Sequence, residues 1–378
     1  MDPLIFIPGT FGILLSVLYG LTIHGAMKGW KHIPETGPDK PLTNPSFSII
    51  IAFRNEANHL DHLIGDLKRQ NYPNHAFEIW FVDDHSTDHG PRIIEEAIRD
   101  QAHMHLIANM GTGKKQAIRT GLAKSRFDTI ITTDADVRFS DQWISSYAMP
   151  CSDADFRLVI GAVLPRPSRS VFESIQSLEW MSLIGISAGM AQRGHAVMCN
   201  GANMAFSRQL FLDQDDPLFE KSPSGDDIFL LQAQKRRNAT AIGFLKSRKG
   251  CVYTSLEPGW SNFLNQRIRW ASKSRYYHDR DAIILAGLVW GTNFFLLLLL
   301  VLSFLAPLAA VFFAGMWVFK SVPDFFLLRS VTRYYQVSGL LRFFLPVSLV
   351  YPIYVNLIAF LSILRPRFVW KDRLYKMK

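Results

Sequence analysis

Two carboxylates one residue apart, Asp134 and Asp136, follow directly on the apolar run 129–133 (TIITT). In extended chain the side chains of residues i and i+2 share a face. Such a pair can hold a hard divalent cation together with phosphate oxygens, and the cation can neutralise a departing diphosphate; an ordinary turn after a strand would use the same residues. Asp83-Asp84 ends another apolar run, 77–82 (FEIWFV), where a carboxylate can accept from a base N–H or a ribose hydroxyl, or cap the next helix. Gly111-Thr112-Gly113-Lys114-Lys115 precedes a helical stretch and offers backbone N–H groups and an ammonium to phosphate. Its spacing is not that of a P-loop. Gly225-Asp226-Asp227 opens an apolar helix. The helix dipole favours carboxylates there, and one of them can act as general base on a hydroxyl. Gln266-Arg267-Ile268-Arg269-Trp270 joins a guanidinium that can fork onto a diphosphate to an indole face, or else forms an Arg/Trp belt beside a membrane.

These groups need a scaffold, and residues 45–275 read as one. Short β-branched runs at 46–53, 77–82, 104–107 and 129–133 alternate with helical patterns at 57–67, 91–100 and 115–124. Strands that alternate with helices predict a mostly parallel α/β sheet covered on both faces. Ligands of such sheets bind at the carboxyl ends of the strands, where Arg54-Asn55-Glu56, Asp83-Asp84 and Asp134-Ala135-Asp136 all fall.

The rest of the chain is apolar. Residues 3–27, 282–319 and 343–364 contain no Asp, Glu, Lys or Arg, and each reaches the roughly 20 residues that a membrane helix needs. The expected organisation is an N-terminal anchor at 1–28, a linker at 29–44, the catalytic domain at 45–275, a hairpin turning near Pro307 at 276–320, an interfacial amphipathic helix at 321–342, a crossing or re-entrant segment at 343–364 and a basic tail at 365–378. The net charge of +9 gathers at membrane flanks, with Lys28 and Lys31 after the first stretch and Arg365, Arg367, Lys371 and Arg373 in the tail. That pattern suits a cytoplasmic membrane face rather than nucleic acid. Three crossings after the first helix would put the basic tail outside, so one stretch does not cross, and 343–364 with Pro346 and Pro352 is the one expected to fail. Cys151, Cys199 and Cys251 are far apart and suit a reducing compartment without disulfides.

The ordered set Asn55-Glu56, Asp83 to Asp88, Gly113-Lys114, Asp134-Ala135-Asp136, Asn200 to Asn203, Gly225-Asp226-Asp227 and Gln266 to Trp270 resembles the family 2 glycosyltransferases, whose GT-A fold is Rossmann-like. The resemblance implies a nucleotide-sugar pocket of Ala52, Arg54, Glu56, Asp83, Asp84, Lys114, Asp134, Gln266, Arg269 and Trp270. It implies a Mg2+ or Mn2+ site at Asp136 and Asp134, an acceptor side of Gly201, Asn203, Asp226 and Trp270, and catalysis by Asp227 as base with Arg269 on the diphosphate. Ala52 stands where relatives often have Pro, His85 where they often have Gly, and Asp226 where Glu is common. The implied enzyme is an inverting transferase of a bacterial inner membrane. It would move a sugar from a nucleotide diphosphate, UDP by expectation, to a lipid or membrane-embedded acceptor. A processive polysaccharide synthase and a catalytically silent membrane scaffold are the alternatives.

Overall fold

The computed structural model describes residues 3–36, 45–153, 155–167, 170–214, 216–219, 225–364, 367–370 and 373–376. Most of the expected linker, at 37–44, and tail positions 365–366, 371–372 and 377–378 lie outside them.

The chain enters through one long helix, α1 (Pro3–His32). Then come β1 (Phe47–Phe53), α2 (Ala57–Lys68), β2 (Phe77–Asp83), α3 (Gly90–Ala97), β3 (Met104–Ala108), α4 (Lys114–Lys124) and β4 (Thr129–Asp134). After them follow β5 (Arg138–Phe139), α5 (Trp143–Ser152), β6 (Leu158–Gly161), β7 (Val163–Pro165), α6 (Val171–Gln192), β8 (Met204–Ser207), α7 (Arg208–Leu212), α8 (Asp226–Arg237), β9 (Ile242–Leu245), β10 (Val252–Thr254) and α9 (Trp260–Ser272). The main sheet has the order β3-β2-β1-β4-β8-β6-β9. It is parallel except at β8, which runs against both β4 and β6, so the mostly parallel α/β reading holds. β1 is buried along almost its whole length (FSIIIAF), as a strand covered on both faces must be. From β1 the chain builds outward through β2 and β3, then returns to add β4 on the other side. The crevice at such a reversal is where an open sheet binds ligands, and the register sets Ala52 beside Asp134 and Phe53 beside Asp83 there. A small second sheet, β5-β10-β7, flanks the main one.

The C-terminal region holds α10 (Arg280–Leu302), α11 (Pro307–Tyr334), α12 (Phe344–Leu364) and a hairpin of β11 (Arg367–Trp370) with β12 (Arg373–Lys376). Four helices are long and apolar enough to cross a membrane: α1, α10, α11 and α12 with the short turn before it. The interfacial helix expected at 321–342 does not form separately. Pro323 sits inside an unbroken α11, and residues 338–343 form only a short 3-10 turn. The arginines of that segment fall in the last two turns of α11 and just beyond, so the sequence pattern of an amphipathic helix was the polar end of a longer apolar one.

The α/β domain and α1 share one core. Trp30 is 1% exposed and its ring meets Phe244, Tyr334 and Tyr335. Lys246 Nζ donates to the carbonyls of Trp30 at 3.0 Å and Ile33 at 3.3 Å, satisfying the otherwise orphan end of α1. Where α1 crosses α6, Gly29 and Gly189 pass backbone to backbone. A Cβ on Gly189 would overlap the Ala26 carbonyl, and one on Gly29 the Gly189 carbonyl.

α12 is one continuous helix despite Pro352. Its first turn packs Phe344 on Phe325, in the catalytic-side half of α11. Its middle donates from Tyr354 to Glu179 of α6 at 2.8 Å and stacks Tyr354 on Phe263 of α9. Its last turn accepts from Arg275 at Ser362 O (2.7 Å) and Ile363 O (3.1 Å), and Arg275 lies just before α10. All three parts of α12 therefore touch elements on the side of the α/β domain.

Candidate active site

The strand-end turns are built to hold side chains still. Asn55 and His85 both take left-handed backbone, with φ of 53° and 60°. The two turns clasp: Thr87 N donates to Asn55 Oδ1 (2.8 Å) and Asn55 N to Ser86 Oγ (3.1 Å). His85 occupies a conformation that favours glycine, and its Nε2–H donates to Gly111 O at 2.8 Å. The bulky ring thus ties the β2 turn to the glycine–lysine loop. Arg54 Nη1 donates to the carbonyls of Asp84 (2.9 Å) and His85 (2.7 Å). Asp84, 4% exposed, accepts from Asn109 Nδ2 (2.8 Å) and from Gly113 N (2.7 Å). Gly113 has a φ of 92°, a turn that aims the N-terminus of α4, and with it Lys114, into the crevice.

One cavity of about 620 Å3 opens there, within the range of small-molecule sites. Ala52, Arg54, Glu56, Asp84, Lys114, Asp134, Asp136, Gly201, Asp226, Asp227, Gln266, Arg269 and Trp270 all line it. Two sequence-derived residues do not. Asp83 turns away and accepts from Ser86 N at 2.9 Å, because successive residues at a strand end face opposite ways. Asn203 is fully buried: its Oδ1 accepts from Trp143 Nε1 (2.9 Å) and Tyr147 OH (2.8 Å), and its Nδ2 donates to Ala162 O and Gly250 O. It braces the loop, while Asn200 and Gly201 face the cavity.

Charge sets the chemistry. Lys114 Nζ lies 2.6 Å from Asp134 Oδ1 and 3.8 Å from Asp226 Oδ2. Burial works against its charge, but Asp134, Asp226 and Asp227 outweigh burial and raise its pKa. Asp227 Oδ1 accepts from Ile228 N (2.8 Å) and its Oδ2 from Gly201 N (3.2 Å), with Lys273 Nζ 3.7 Å away. Burial would raise the Asp227 carboxyl, yet Lys273, Lys114 and the two N–H groups hold it below its ordinary value. Asp136 moves the other way, pushed up by burial and then by the like charge of Asp134. Such a strained pair gains from a cation, so the residues fit a divalent metal. Among the described residues no third His, Cys, Asp or Glu joins them. The half-buried guanidinium of Arg269 has no hydrogen-bond or ion-pair partner among the described residues. Burial lowers its pKa, and Asp134 is the carboxylate that counters this most.

The other arm of the cavity is apolar. Trp180, Leu183 and Ile184 of α6 line it with Met198, Trp270 and Tyr277, and Trp180 meets Trp270 edge to face at 5.5 Å. The sequence reading had singled out only Trp270 of this wall, and had missed Lys273 and Glu257, which accepts from Gln266 Nε2 at 2.7 Å.

Residues 48–213 match the family model "Glycosyl transferase family 2". The chain is 27% identical over 132 residues to a beta-monoglucosyldiacylglycerol synthase of Synechocystis, covering 32% of this chain and 28% of that protein. It is 34% identical over 102 residues to an undecaprenyl-phosphate 4-deoxy-4-formamido-L-arabinose transferase of Pseudomonas savastanoi, covering 26% of this chain and 30% of that one. Either match thus spans less than a third of the relative. Among solved structures, a mannosyltransferase from Pyrobaculum calidifontis in complex with GDP-Man and Mn2+ superposes with a TM-score of 0.59 at 15% identity, over 92% of this chain and 99% of that one; it shows the same fold. Residues 48–213 therefore form a domain of the glycosyl transferase family 2 type, carried on a GT-A-like fold.

Proposed function

We infer that the protein transfers a sugar from a nucleoside-diphosphate sugar to a membrane lipid, with inversion, at Asp227. The observation that carries this is a single cavity with two unlike arms: a charged one containing Asp84, Lys114, Asp134, Asp136 and Arg269, and an apolar one of Trp180, Leu183, Ile184 and Trp270. The α6 wall of the apolar arm packs on α1 and α11. That geometry suits a water-soluble donor and a lipid acceptor meeting at the membrane surface. The names of the two relatives, a glucosyldiacylglycerol synthase and an undecaprenyl-phosphate transferase, point the same way.

In this reading Arg54 and Asp84 hold the nucleoside. Arg269 meets the diphosphate as a preorganised charge that costs no reorganisation as the bond breaks. Asp134 and Asp136 would hold Mg2+ or Mn2+, which neutralises the leaving diphosphate when bound. Asp227, fixed by Gly201 N and Ile228 N, takes the proton of the attacking group. Lys28 and Lys31 beside the catalytic end of α1 put the domain in the cytoplasm by the positive-inside rule.

The test is to incubate membranes carrying the full chain with radiolabelled UDP- and GDP-sugars and extract lipids. Label in the lipid fraction, lost in Asp227→Asn membranes, is the expected result; label only in water-soluble saccharide or in long polymer would replace this reading with another.

A further inference from the structure

The proposed acceptor is a membrane lipid; the cavity also carries information on the group that attacks. We propose that the acceptor group is an uncharged hydroxyl of the lipid and not a lipid phosphate. The inference rests on the transfer reading above and narrows it.

A lipid phosphate brings one to two negative charges to the reacting position and needs cations to meet it. Five basic side chains line the cavity. Arg54 is tied to the Asp84 and His85 carbonyls. Lys114 is bonded to Asp134. Lys115 Nζ is turned away to the carbonyls of Leu218 (2.5 Å) and Phe219 (2.7 Å). Arg269 is the one of the five with no bond among the described residues, and the departing diphosphate claims it. That leaves Lys273, which already stands 3.7 Å from Asp227. Against it, the acceptor side presents two carboxylates, Asp226 and Asp227. Lys114 links Asp226 to Asp134 across 3.8 and 2.6 Å, so the acceptor carboxylates and the metal pair surround one small space. An incoming phosphate would meet two like charges whose cations are already engaged, Lys273 by Asp227 and Lys114 by Asp134 and Asp226, and like charges brought together without a free cation exclude a partner strongly. The rest of the arm is indole, aliphatic and phenol surface: Trp180, Leu183, Ile184, Trp270 and Tyr277. Ser187, at the same wall, spends its hydroxyl on Met198 O at 2.7 Å.

A neutral alcohol fits this arrangement and makes use of the base. The hydroxyl oxygen attacks the anomeric carbon as its proton passes to the Asp227 carboxylate. The new C–O bond forms as the bond from the anomeric carbon to the phosphate oxygen breaks, and that electron pair leaves with the nucleoside diphosphate. A fully ionised phosphate acceptor, the major form near neutral pH, has no proton to give up and would leave Asp227 without a task.

The two acceptor classes yield products of different chemistry. A sugar on a phosphate is released by mild acid, while an O-glycoside of an alcohol survives it. Membranes bearing the full chain are labelled with the radioactive nucleotide sugar that turns over, and the extracted lipid is divided between mild acid and buffer. Label that stays with the lipid after acid is expected; label that passes into water overturns the proposal. In a second arm the purified full chain in nanodiscs receives equal mole fractions of dioleoylglycerol or decaprenyl phosphate. Transfer to dioleoylglycerol at a kcat/KM higher by about 100-fold or more is expected, and equal or faster transfer to decaprenyl phosphate overturns the proposal. UDP and GDP binding by calorimetry is measured alongside. Intact transfer with acid-labile product sinks only the acceptor assignment, whereas no nucleotide binding and no transfer sinks the enzyme reading on which it stands.

Discussion

Lys114 and Asp134 are joined at 2.6 Å across the crevice between β1 and β4. The ammonium therefore stands where the DxD pair would otherwise offer an open carboxylate, and it reaches Asp226 from the same position. A charged hydrogen bond of this kind is worth about 1.5 kcal/mol net, close to a factor of ten in affinity. A divalent cation binding without nucleotide must compete with it. Lys114→Met should raise the affinity for Mn2+ alone by about tenfold, read from the loss of the free-ion electron paramagnetic resonance signal. An unchanged or weaker affinity would mean that Lys114 does not guard the pair.

Asp227 is held below its ordinary value of 3.8. Its carboxylate is thus charged at every pH above that value, and the stability its partners lend is present there and lost as pH falls through the lowered value. Its protonation should not limit turnover between pH 5 and 8, and the acid limb set by this group should lie below about pH 4. Lys273 is the first of the charges that depress it. Lys273→Met should move that limb upward, because burial then acts with less opposition. Asp227→Asn should cost about 10²–10⁴ in turnover with nucleotide binding retained. A pH–rate profile unmoved by Lys273→Met would show that another group governs the limb.

These roles were legible in the sequence to different depths. Asp84, Asp134 and Asp136 could be placed because each lies at or just after the end of a short apolar strand, and strand ends converge in a parallel sheet; Ala52, inside β1, came from the family resemblance alone. Asp83 lies outside the cavity, and the alternation of a strand already separates it from Asp84. Asn203 was put on the acceptor side by the family resemblance, but a motif does not say which of its side chains meets substrate and which meets protein, and Trp143 and Tyr147 are distant in sequence. Lys273 sits four residues after Arg269, near one helical repeat, and that spacing was available as a signal. The α6 wall was not available. Trp180, Leu183 and Ile184 belong to a helix that is apolar nearly all round, and only its packing against α1 and α9 decides which face meets the cavity.

Arg267 makes a separate case, since it lies within the Gln266–Trp270 motif but does not face the cavity. It is 4% exposed, donates twice to Glu179 Oε2 (3.0 and 2.7 Å) and once to Gln266 Oε1. Its guanidinium lies 4.5 Å from the Trp270 ring centroid and 4.4 Å from that of Phe263. One buried cation thus fixes the α6 wall, the α9 wall and, through Glu179 and Tyr354, α12. Removing one member of a buried ion pair typically costs about 3–5 kcal/mol. Arg267→Met should lower the unfolding midpoint in detergent by several degrees and raise the acceptor KM more than the donor KM. Equal stability in the variant would mean that the pair is incidental.

The placement of α12 makes the last prediction. A helix that crossed the membrane would carry its far end about 30 Å from the catalytic side. Here Phe344, Tyr354 and the Ser362–Ile363 carbonyls all contact catalytic-side partners. With α1, α10 and α11 as the three crossings, the basic tail returns to the side of Lys28 and Lys31, and the conflict with the positive-inside rule disappears. A green fluorescent protein fused after Lys378 should fluoresce in a bacterial host. Alkaline phosphatase fused at the same place should be inactive, while phosphatase fused after Phe304, between α10 and α11, should be active. Active phosphatase on the tail would make α12 a fourth crossing and would detach Tyr354 from Glu179.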